Sequence, residues 1–152
     1  MRKSLAFTYV KIFIAIILIA LVIYYAINFI QREYNSEEFE TVKTDMLALQ
    51  GRIEILKQQV ETETEDVEYV GTEIEQKENE PQIQNLINNN VIDIDSEDSN
   101  YYCIDNSNLQ ELGLEIQTDS YYIVDYEQND VIYVDGIKDS SGNMVYKLSD
   151  ME

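Results

Sequence analysis

The chain has 152 residues, with 30 Asp and Glu against 10 Lys and Arg, a formal net charge of -20. That imbalance repels nucleic acid and anionic headgroups, which argues against both as partners of the polar part. There is no His, no Trp and a single cysteine, Cys103. The commonest general base and zinc ligand are therefore missing, and no disulfide can close within the chain.

Residues 1–11 form a basic leader carrying Arg2, Lys3 and Lys11. Residues 12–30 (IFIAIILIALVIYYAINFI) hold no charge and one strongly polar side chain, Asn28. As a helix this run covers about 28 Å, one hydrocarbon thickness, and is predicted to be a transmembrane helix. Beyond it Arg32 is followed by Glu33, Glu37, Glu38 and Glu40. The positive-inside rule then puts the N-terminus in the cytoplasm and the C-terminal part outside the cell membrane, in a single-pass arrangement. The apolar run exceeds the core of a cleavable secretory signal, and no small-x-small site follows it, so it reads as a retained anchor. No Pro or Gly occurs before Gly51, so nothing forces a break between span and stem.

Residues 31–60 read as an amphipathic stem. Phe39, Val42, Met46, Leu49, Ile53, Leu56 and Val60 alternate spacings of three and four, a heptad seam. The seam can zip against another helix or pack on this chain's own sheet. In a parallel homodimer Asp45 would face Gln50 and Arg52 would face Lys57, one neutral pair and one repulsive. That disfavours the homodimer. Leu47 and Ile55, beside the seam, are expected to widen the apolar face for an intramolecular contact.

Residues 61–100 are an acidic loop or linker in which Lys77 is the only basic residue. Pro81 ends any helix arriving from the N-terminal side, and residues 82–90 hold at most a short helical turn. Asp93, Asp95, Glu97 and Asp98 suggest calcium. The EF-hand loop, however, needs Gly and Glu where Asp98 and Ile104 stand, so the pattern fails and no metal is assigned.

Residues 101–152 form a small antiparallel, β-rich head. Strands are expected at Tyr101–Ile104, Tyr121–Tyr126, Val131–Val134 and Met144–Leu148, with turns at 128–130 and 139–143. Asn106 or Ser107 is expected to cap a short helix reaching Leu112. The many tyrosines suit positions with a buried ring and a wet hydroxyl. A meander this small needs a cover, and the stem supplies one. The fold class is therefore α+β: a long N-terminal helix, membrane span continuing into stem, packed on a small C-terminal antiparallel sheet.

That layout, with the N-terminal SLAFTYVKIFIAIILIAL, resembles the type IV pilin and pseudopilin superfamily. The stem stretch TDMLALQGRIEIL and the C-terminal YYIVDYEQNDVIYVDGIKDSSGNMVYKLSDME are similar to the corresponding parts of pilin-like proteins of Gram-positive bacteria. The resemblance implies cleavage between Ala6 and Phe7, methylation of Phe7, and assembly with other pilin-like subunits. Two positions depart from the family. Ala6 stands where the family has Gly, and Lys11 stands where it has Glu, the residue that pairs with a neighbour's N-terminal ammonium. The expected function is a minor pilin or pseudopilin, a structural subunit of a type IV pilus, competence or type II secretion-like filament at the cell surface. The alternative is a bitopic membrane protein whose stem pairs with a partner helix, as in small division-complex coiled-coil proteins. With no His and no partner for Cys103, no catalytic constellation is visible, and neither an enzyme activity, a cofactor nor a small-molecule substrate is expected.

Overall fold

The computed structural model describes residues 2–62 and 67–151, with side chains in the first helix from Ser4 onward. Arg2–Thr62 is one helix, α1, of 61 residues. At 1.5 Å per residue it is about 90 Å long. It runs through Asn35 and Ser36, residues that favour caps where a chain breaks. Threonines in its second half bond back one turn: Thr41 Oγ1 donates to Glu37 O at 2.9 Å and Thr44 Oγ1 to Glu40 O at 2.8 Å.

Five strands follow: β1 (Thr72–Glu73), β2 (Tyr101–Ile104), β3 (Tyr122–Asp125), β4 (Asp130–Lys138) and β5 (Met144–Lys147). They lie in sequence order as one sheet, every pair antiparallel. β4 is longer than the Val131–Val134 expected from sequence. Its pairing with β5 shifts between Ile132 and Ile137, and Gly136 (φ +69°) lies in the shift. That φ strains any residue with a Cβ, and a Cβ on Gly136 would also sit 2.7 Å from Met144 Sδ and from a Tyr146 ring carbon, side-chain atoms that would have to shift.

Both faces of the sheet are covered. On one face the stem half of α1 packs Met46, Leu49, Ile53 and Leu56 against Ile104, Tyr122, Val124, Tyr126, Val131 and Leu148. On the other, Ile123, Ile132, Val134 and Cys103 meet Ile74, Ile83, Leu86 and Ile92. This explains why β3 is buried at every position: it alternates inward on two sides, and neither side meets water. The architecture is α+β, the long helix packed on the antiparallel sheet.

Four expectations differ from what is found. The described part of 61–100 is not a linker. It supplies β1, a 3-10 turn (Ile74–Lys77) and a second helix, α2 (Pro81–Asn88), and with them the cover for the sheet's far face. Pro81 begins a helix rather than merely ending one; it occupies the first turn, where its missing N–H has no intrahelical acceptor to lose. The third helix, α3 (Asn106–Glu111), is capped one residue earlier than expected. Asp105 Oδ1 accepts from Asn108 N at 2.9 Å and Asn108 Oδ1 from Asp105 N at 3.1 Å, a reciprocal capping box. Leu47 and Ile55 are 49% and 51% exposed, so the covered face of the stem is no wider than the heptad seam.

Candidate functional site

The helix α1 changes character along its length without changing direction. From Leu5 to Tyr34 every large apolar side chain is 44–70% exposed, and among the described residues none of the most apolar window is buried. Met46, Leu49 and Ile53 are at most 1% exposed. Phe39, Val42 and Val60, at the ends of the seam, are half-buried against the same core, and Leu56 is buried within it. The structure therefore brings all seven seam residues together on the chain's own sheet.

The exposed half is long and apolar enough to cross a membrane. A helix satisfies its own backbone hydrogen bonds, which is what hydrocarbon demands. Ala6 and Phe7 lie within it, both exposed. Lys11 stands one turn beyond Phe7, its Nζ 4.7 Å from the Phe7 ring centroid, a cation–π contact that shields the charge beside apolar surface. The charged side chains of Arg2 and Lys3, expected to flank the membrane, lie outside the described residues.

The head is tied by polar groups of graded burial. Asp125 is buried, and its Oδ1 accepts from the backbone N–H groups of Asn100 (2.9 Å), Glu127 (3.1 Å) and Gln128 (3.3 Å). One carboxylate thus fixes the β3–β4 turn and the chain entering β2. Asp130 holds the C-terminal turn: its Oδ2 accepts from Ser149 Oγ at 2.8 Å and its Oδ1 from Ser149 N at 3.2 Å. Tyr126 donates its hydroxyl to Val70 O at 2.8 Å, and its ring stacks 4.2 Å from Tyr69. Burial pushes the hydroxyls of Tyr121, Tyr122 and Tyr126 well above the usual tyrosine range; at Tyr121 the carboxylate of Glu80, which accepts its hydroxyl proton, adds to the effect. Cys103 is buried, and burial pushes its thiol up to about 11, so at neutral pH it is a packed thiol and not a thiolate. Among the described residues no three His, Cys, Asp or Glu side chains converge as metal ligands would.

A groove of about 500 Å³ lies where the stem meets the β3–β4 turn, lined by Lys43, Leu47, Tyr101, Gln128, Asn129 and Lys147 among others. Gln50 Nε2 closes its floor by donating to Asn129 O at 2.8 Å. This was not readable beforehand. Lys43 and Lys147 are 104 positions apart, and only the fold puts them on one rim. The scarcity of basic residues was the one available signal. Comparison with protein-family models, with curated proteins and with solved structures finds no match to this chain.

Proposed function

We propose that the chain is a pilin-like structural subunit, a minor pilin or pseudopilin, of a type IV pilus, competence or type II secretion-like filament. In this reading the N-terminus is cytoplasmic, the first half of α1 sits in the membrane and then among similar helices, and the head stands outside. Its work is assembly. The observation that carries the reading is the division of one unbroken helix into a bare apolar half and a half covered by its own sheet. The bare half needs an apolar surrounding of lipid or other helices; the covered half holds the head rigidly to it.

A stem that zips with a partner helix is less well supported. The middle of the heptad seam which such a partner would use, Met46 to Leu56, is already buried under the sheet and the C-terminal turn.

The test is the intact mass of the protein recovered from its host's membrane. Loss of Met1–Ala6 with one added methyl on Phe7 is the expected result. A full-length, unmodified mass from cells with an active prepilin peptidase sinks filament processing and leaves a permanent single-pass anchor.

A further inference from the structure

The charges of α1 are sorted along its length. Before Glu33 there is no Asp or Glu, and the charged side chains are Arg2, Lys3, Lys11 and Arg32, all positive. Lys11 and Arg32 are exposed, and neither forms an ion pair among the described residues. The helical neighbours of Lys11 three and four positions away are Phe7, Thr8, Ile14 and Ala15, none of them acidic. The first carboxylate, Glu33, stands about 33 Å further along the axis. A cation set among apolar side chains in a membrane therefore takes its counter-ion from outside the chain.

Three observations indicate which counter-ion. Lys11 and Arg32 bound the uncharged residues 12–31 and stand about 31 Å apart along the axis, close to one hydrocarbon thickness. Each has a tyrosine just outside it: Tyr9, 68% exposed, precedes Lys11 by two residues, and Tyr34, 65% exposed, follows Arg32 by two. Tyrosine is favoured at headgroup level, its ring toward the tails and its hydroxyl wet. Tyr24 and Tyr25, edge-on at 5.8 Å, lie inside the run. Finally, Lys11 Nζ lies 4.7 Å from the centroid of the Phe7 ring, one turn nearer the N-terminus, so the ammonium points out of the uncharged run. Lipid phosphates stand at both of these levels in a phospholipid bilayer, whereas a carboxylate there needs a dedicated partner.

We infer that Lys11 binds the phosphate groups of the lipid leaflet on its own side of the membrane, and that this contact, with Arg32 at the opposite leaflet, fixes the depth of α1. The ammonium donates its hydrogens to phosphate oxygens, a charge-assisted contact. Hydrocarbon then begins at Ile12, and Phe7 and Tyr9 lie in the headgroup layer. This inference rests on the membrane-anchor reading and adds a ligand and a depth to it.

The chain has no Trp, so a single tryptophan reports depth without background. Full-length Tyr9→Trp and Tyr34→Trp chains are reconstituted, dilute enough to stay apart, in phosphatidylcholine vesicles brominated at defined acyl depths. Both tryptophans should be quenched best by the shallowest bromines. Lys11→Leu lengthens the uncharged run to residues 4–31, about 42 Å, which must tilt or slide to fit. It should draw the tryptophan at position 9 inward by about 5 Å, one turn, and leave that at position 34 in place. Lys11→Arg should keep both where they are. In the same vesicles, chains carrying ¹⁵N at the lysine Nζ should show dipolar contact with lipid ³¹P. In Lys11→Leu that contact should fall by about half, Lys3 being the other lysine before Glu33. If Lys11→Leu leaves the depth of position 9 or the phosphorus contact unchanged, phosphate binding by Lys11 is overturned and the anchor stands. If neither tryptophan is quenched, the chain is not inserted, and the anchor falls with the inference.

Discussion

Cys103 and the buried tyrosines make the head sensitive to alkali, and the sign follows from which form is buried. Each is held neutral by desolvation, so the folded chain keeps its proton longer than the unfolded chain does. The stabilisation is complete below the unfolded pKa and is lost as pH rises toward the folded one. For Cys103 that window runs from its ordinary value of 9.0 to about 11. The tyrosines add a second loss beginning above their ordinary value of 10.0. The urea midpoint of the head should therefore be flat near neutral pH, fall from about pH 9 and fall faster above pH 10. Cys103→Ala should flatten the first part of that decline and leave the second. A midpoint that rises through this range would mean the thiol and the phenols are not buried as described.

At the scale of elements, the stem is tested by neighbours on one helix. Met46→Ala and Leu49→Ala empty fully buried positions and should each lower stability by about 2–5 kcal/mol. Leu47→Ala, one residue away from Met46 but half exposed, should change it by less than about 0.5 kcal/mol. Equal losses at Met46 and Leu47 in urea unfolding would move the stem's contact face. The seam was legible because spacings of three and four place residues on one stripe whatever surrounds them. The exposure of Leu47 and Ile55 was not, because an apolar side chain carries no mark saying whether another element covers it. The far face of the sheet was harder. Its cover hangs on Ile74, Ile83, Leu86 and Ile92, four apolar residues scattered through a strongly acidic stretch. Ile83 and Leu86 are three apart and follow a proline suited to a first helical turn, a signal outweighed by the composition around it. β1 had no local signal: two residues, Thr72 and Glu73, become a strand only by pairing with Cys103 and Tyr102. The groove of Lys43 and Lys147 is of the same kind, a product of tertiary structure alone.

For the molecule as a whole, the division of α1 predicts two separable behaviours. A chain lacking residues 1–34 keeps the seam, the sheet and both covering helices, and loses every residue of the bare apolar stretch. It should be soluble without detergent and unfold in one cooperative step, as small domains usually do. The full chain should require lipid or detergent. A truncated chain that aggregates or melts without cooperativity would show that the head leans on the first half of the helix. Charge works at this scale too. The excess of acidic side chains favours separate chains in solution.

The absence of a break in α1 also means that head and anchor share one angular phase. Each helical residue turns the chain by about 100° and lifts it by about 1.5 Å. One residue inserted near position 35 would swing the head by more than a quarter turn about the axis while hardly raising it. Seven inserted residues would raise it by about 10 Å and leave it within about 20° of its first bearing. The direction in which the head looks out from its anchor is thus counted off in residues, as a dial is set by its clicks.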